Sequence, residues 1–222
     1  MTSRWTRLWA AAGLLFVAAY ILLLAITSDS PGDTDSDHRI ASWYASSSNR
    51  ARELIVFFIA AAGAVAFVWF LAHLRSLIRD VEDDGGRASS VVLASGTAFV
   101  ALLGVMMAIF TAAAFTRIDA GHKFVLDPNT YRLLNGLGAL AFMAGYILLS
   151  PLCFAIGAVA WRTGVLPRWL AVGGFVAGIA CLASPVWFPS FLVILWILLL
   201  SAYLTFRPLG ARTKLVTATA TA

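Results

Sequence analysis

The sequence predicts an all-α, polytopic transmembrane bundle of six helices with the N-terminus and C-terminus both cytoplasmic, and three observations predict it. The 222 residues are 61% hydrophobic and 12% charged, with a mean hydropathy of +0.87, whereas a soluble domain has roughly a quarter of its residues charged. The apolar residues come in long runs without alternation; inside a bilayer every backbone group needs an internal partner, and such runs are helices. Basic residues fall between the runs and favour one side, as the positive-inside rule requires. The predicted spans are about residues 8–26, 54–73, 91–115, 131–161, 168–186 and 189–206, in a single domain over residues 1–215.

Arg4 and Arg7 precede Leu8 to Ile26, nineteen residues without a charge, with Trp5 and Trp9 where interfacial aromatics belong. The run is long for a signal peptide and Ala25-Ile26-Thr27 is a poor cleavage site, so it reads as an uncleaved first span. Residues 28–52 form an outer loop. Ser28 to Asp37 is acidic and turn-rich, while Ile40, Trp43 and Tyr44 share one face of a short interfacial helix. Asp33, Asp35 and Asp37 open with the spacing of a calcium loop, but His38 and Tyr44 stand where its glycine and glutamate belong, and no metal site is expected.

The second span carries small residues from Ala60 to Ala64 and ends at His73, which reads as an interfacial, snorkelling side chain. A mixed-charge turn through Gly85-Gly86 leads to the third span. After a second outer loop, Asp127-Pro128 is a helix N-cap followed by proline at the first helical position. In the fourth span Asn135, Phe142, Tyr146, Cys153 and Gly157 fall on one side at 100° per residue, with Gly138 at its margin. An amide facing lipid is costly, so this polar, small side looks inward, as packing surface or as a ligand face. Pro151 cannot donate to the Ile147 carbonyl and predicts a kink.

Arg162 to Arg168 is a tight basic turn in which Gly164 stops one helix and Pro167 starts the next, making the fourth and fifth helices antiparallel neighbours. The fifth helix carries Gly174 and Gly178 on one face with Cys181, a spacing suited to packing within the bundle. Pro185 and Pro189 bracket Val186 to Phe188 and divide the uncharged run from Trp169 to Phe206 into two spans, or into one span and a re-entrant piece. Residues 216–222 read as a disordered tail. Cys153 lies eight residues from Trp161 and Cys181 thirteen from Arg168; at about 1.5 Å per residue the two depths differ by roughly 7 to 8 Å, too far for easy bridging.

Six spans with both ends inside put Arg4, Arg7, Arg75, Arg79, Arg87, Arg162, Arg168, Arg207, Arg212 and Lys214 on the inner side, ten in all, against six outside, namely Arg39, Arg50, Arg52, Arg117, Lys123 and Arg132. The net charge of +5 is therefore topology information. It forms no single basic face for nucleic acid.

The segment from Thr163 to Ala171, followed by glycines, and the Ser48-Asn49-Arg50 approach to the second span resemble segments of bacterial, especially actinobacterial, multi-pass integral membrane proteins of the domain-of-unknown-function kind. The resemblance implies a bacterial plasma-membrane protein and supplies no catalytic residues; membrane lipids are the expected partners of the apolar spans.

Span interiors without Asp, Glu, Lys or Arg lack the usual sign of ion relays, and no GxSxG, HExxH or P-loop pattern occurs. An enzyme is not expected, nor a cofactor. Two readings remain. One is a non-enzymatic protein that packs with a membrane partner or a second copy, or organises lipid. The other is a carrier or channel for a neutral or lipophilic solute, with Asn135, Phe142, Tyr146 and Cys153 as the ligand face. A ligand-sized cavity at Asn135 favours the second; a filled interior favours the first.

Overall fold

The computed structural model describes residues 3–82, 85–184 and 189–206. The expectations for Pro185 to Phe188, for the basic cluster Arg207, Arg212 and Lys214, and for the 216–222 tail lie outside the described residues. Within them the chain forms α1 (Ser3–Thr27), α2 (Asp37–Ala45), α3 (Ser47–Arg79), α4 (Arg87–Ala120), a single 3-10 turn (Gly121–Lys123), α5 (Pro128–Thr163), α6 (Arg168–Leu182) and α7 (Ser190–Phe206), and no strand. Four helices, α1 from Trp5 onward, α3, α4 and α5, are long and apolar enough to cross a membrane; α6 and α7 are apolar but shorter, with 15 and 17 residues.

Local chemistry sets the helix ends. The Asp127 carboxylate accepts from the Thr130 N–H at 2.9 Å with Pro128 in the first turn of α5, satisfying a donor that has no partner inside the helix. Gly164, at φ +67°, closes α5 in the left-handed region that glycine adopts without a side-chain penalty. Glu82, in the mixed-charge turn, caps α4: its carboxylate accepts from the backbone N–H and the hydroxyl of Ser89.

Six helices close a ring in chain order. Neighbours pack as α1 with α3, α3 with α4, α4 with α5, α5 with α6 and α6 with α7, and α7 returns to α1. Close approach at these seams depends on small residues: a Cβ on Gly63 would meet Ala19 of α1 at 2.9 Å, and one on Gly13 would meet the Ser201 side chain of α7. Polar groups bridge some seams as well. Ser201 Oγ donates to the Ala10 carbonyl, and Trp196 Nε1 to the Leu170 carbonyl at 3.1 Å. The ring's centre is filled by aromatic rings in contact, Phe16 on Phe67, Phe67 on Phe99, Phe99 on Tyr146 and Tyr146 on Phe142, with centroids 4.5 to 5.6 Å apart.

Pro151 sits inside a helix that continues through it. The Ile147 carbonyl, which Pro151 cannot serve, accepts instead from Ser150 Oγ at 2.8 Å. One residue further the neighbouring helix intervenes: Ser95 Oγ of α4 donates to the Leu148 carbonyl and accepts from the Leu152 N–H at 3.2 Å. A side-chain hydroxyl from α4 thus bonds both backbone groups at the turn that Pro151 opens.

The separation inferred for the cysteines is corrected. Cys153 and Cys181 are free, buried, and interact side chain to side chain. Two features bring them together. Gly174 packs directly on Gly157, which sets the register of α5 against α6, and the Cα–Cβ bonds of antiparallel helices tilt in opposite directions, so the two thiols lean toward each other.

Candidate functional site

At the end of the ring that carries α2, the helices part around a cavity of about 240 Å³. Its deep wall is apolar, with Met106, Met107 and Phe110 from α4 and Leu134 and Phe142 from α5. Phe142 and, beneath it, Tyr146 close the floor, their rings tilted at 39° with centroids 4.5 Å apart.

The roof is the 28–37 segment. Its own folding begins with turns: the Ser30 N–H donates to the Thr27 carbonyl at 3.0 Å, the Asp35 carboxylate accepts from the Gly32 N–H at 2.8 Å, and Ser36 caps α2. Side chains of α5 then hold it down. The Tyr131 hydroxyl donates to the Pro31 carbonyl. Arg132 donates from Nε to the Asp33 carbonyl at 3.0 Å, and from Nη2 to the Asp35 carbonyl at 3.0 Å and to the Asp37 carboxylate at 2.7 Å. Asn135 Nδ2 donates to the Asp33 carboxylate at 2.6 Å. The three aspartates whose spacing imitates a calcium loop are thus engaged by Asn135, Arg39 and Arg132, and among the described residues no group of three or more His, Cys, Asp or Glu could hold a metal ion.

The α2 helix, the short helix expected in the outer loop, forms the remaining wall. Ile40 and Tyr44 are buried against Ala113, Ala114 and Tyr131, so this face turns onto the bundle. Trp43 and Tyr44 reach Glu53 in the second turn of α3: Trp43 Nε1 donates to Oε1 at 3.1 Å and the Tyr44 hydroxyl to Oε2 at 3.2 Å. Glu53 is only 8% exposed. Arg50 is committed elsewhere, its Nη1 donating to the Tyr44 and Ala45 carbonyls at 2.6 and 2.7 Å, groups left open at the end of α2. Arg52 lies over the Trp43 ring and reaches Asp29 at 3.5 Å. Burial first, and the Glu53 charge second, push the Tyr44 hydroxyl far above the ordinary phenol range. Tyr44 therefore remains a donor at any physiological pH.

Of the four residues the sequence offered as a ligand face, Asn135 and Phe142 line the cavity, Tyr146 lies under its floor, and Cys153 is buried two turns deeper against Cys181. Sequence reasoning missed Glu53, Tyr44 and Tyr131. One signal existed: Glu53 is the last charge before the second span, with Trp43 and Tyr44 ten and nine residues upstream. Chemically the site offers an apolar chamber, one carboxylate, several phenols and an amide, which suits binding. No protein-family model, curated protein or solved structure matches this chain.

Arg132→Ala should release the roof. The change removes three hydrogen bonds to residues 33–37, which at a half-exposed site contribute about 1 kcal/mol together. Amide hydrogen exchange across residues 31–37 should become at least several-fold faster while exchange in α4 is unchanged. Unaltered exchange in the roof would show that Arg132 does not hold it.

Proposed function

We propose that this chain is a six-span, non-enzymatic protein of the bacterial plasma membrane that binds a small lipophilic solute in the cavity beneath the 28–37 roof, as the binding step of a carrier. The single observation that carries the reading is the cavity itself: about 240 Å³, largely apolar, with Asn135, Glu53 and three tyrosines converging on it. That volume is below the usual range of small-molecule pockets, which starts at roughly 300 Å³, and so suits a small ligand. Ring closure supports six spans, because α6 and α7 pack side by side between α5 and α1. Helices of this length cross a bilayer with local thinning and snorkelling flanks. The bias of ten basic residues against six supports cytoplasmic termini and hence a cavity at the outer end. The aromatic filling below Phe142 means that passage across the membrane requires the helices to rearrange.

The packing reading rests on that same filled lower half, and one experiment separates the two. Thermal unfolding of the chain in lipid nanodiscs is followed against a panel of lipophilic fragments, beside a Val56→Phe variant that fills the cavity wall. A fragment at a hundred times its dissociation constant adds about 2.7 kcal/mol. Stabilisation of the native chain that disappears in Val56→Phe is the expected result. Stabilisation by lipid alone, equal in both, would overturn solute binding in favour of a scaffold for a membrane partner or a second copy.

A further inference from the structure

Resting on the cavity reading, we propose that the ligand is an amphipathic organic cation, its ammonium group seated against Glu53 and the tyrosine rings and its apolar part lying along Met106, Met107 and Phe142. The argument begins with charge. Among the residues that line the cavity Glu53 alone is formally charged, and no Lys, Arg or His is present there. Among the described residues none forms an ion pair with it. A buried carboxylate without a cationic partner is costly. Trp43 and Tyr44 supply one hydrogen bond to each oxygen, whereas a carboxylate has about four acceptor sites. Burial raises the Glu53 pKa, so the partner the site lacks is a positive charge, whose place a proton takes while the cavity is empty.

The surrounding surface fits a cation that sheds its water. Tyr44 and Tyr131 lie against each other with centroids 5.6 Å apart, and Tyr20, Phe110 and Phe142 complete an aromatic lining. Ring faces attract ammonium groups, most strongly when both are desolvated. The roof adds a field of the same sign, since residues 28–37 contain Asp29, Asp33, Asp35 and Asp37 and no Lys or Arg. Three of these four carboxylates are paired with Arg39, Arg52 and Arg132, which leaves Asp33, held by Asn135, as the net charge of the roof. An anionic ligand would meet an unfavourable potential at the roof and again at Glu53.

The test compares benzyltrimethylammonium with its uncharged isostere neopentylbenzene, measured by calorimetry on the chain in maltoside micelles at neutral pH, with empty micelles as blank. The native chain should bind the cation about tenfold more tightly than the isostere. Glu53→Gln should erase that preference, bringing the two affinities together. Equal binding of both probes to the native chain would overturn the cation proposal and leave the cavity reading standing. No binding of either probe would overturn both, and a preference that survives in folded Glu53→Gln would overturn the role of Glu53. The native comparison holds even where Glu53→Gln fails to fold.

Discussion

Ser95→Ala is expected to destabilise the bundle by about 2 kcal/mol, although it removes a single oxygen atom from a helix that contains no other change. Ser95 Oγ both donates to the Leu148 carbonyl and accepts from the Leu152 N–H, across the turn that Pro151 opens in α5. Removing it leaves a donor and an acceptor without partners at a buried site, and each such group costs about 1–3 kcal/mol less whatever the helix recovers by relaxing. In hydrocarbon no water can replace the hydroxyl. Thermal or denaturant unfolding in detergent micelles should show the loss. Replacing Pro151 by alanine as well should recover much of it, because α5 can then close its own ladder at Leu152. A Ser95→Ala variant as stable as the native chain would mean that α5 satisfies these groups without α4.

Gly174→Leu should be more severe, costing about 3 kcal/mol or preventing folding. A Cβ at this position would lie 3.0 Å from the Cys153 carbonyl oxygen and 3.1 and 3.2 Å from the Cα and N of Gly157. All three are backbone atoms, so no rotamer change gives way. The whole of α6 must lift off α5, and with it the register that joins Cys153 to Cys181. Gly174→Ala should fall between native and Gly174→Leu. Gly136→Ala serves as the control: nothing lies within 4 Å of the new Cβ, and stability should hold or rise by up to about 1 kcal/mol through helix propensity. Equal stability of Gly174→Leu and Gly136→Ala would remove close α5/α6 approach from the account of the fold.

These two sites also show how far the sequence could be read. Pro151 was legible as a break in the helix ladder, because a missing N–H is a property of the residue itself. Its repair by Ser95 was not, since Ser95 and Leu152 are 57 positions apart. The Gly174 and Gly178 pair was legible as a packing surface. Its partner, Gly157 with the Cys153 backbone, depends on the register of two helices. Depth counted along separate helices misplaced the thiols for the same reason: it ignored both register and the direction of each Cβ.

The cavity divides in the same way. Asn135 and Phe142 could be found because helical periodicity puts them on the polar, small side of one span, and burial in a bilayer makes that side face inward. Glu53 could not, because a charge at the edge of an apolar run looks alike whether it meets water or folds beneath a short helix. Contacts joining Pro31 to Tyr131 and Asp33 to Asn135, about a hundred positions apart, decide that it is enclosed. By itself the sequence determined the helices, the N-cap at Asp127 and the stop at Gly164, for a bilayer-length apolar run and a capping residue act locally on the backbone. The ring, the bridge at Ser95, the thiol contact and the roofed chamber around Glu53 follow from folding in three dimensions, for each of these arises where side chains from distant segments share one small volume.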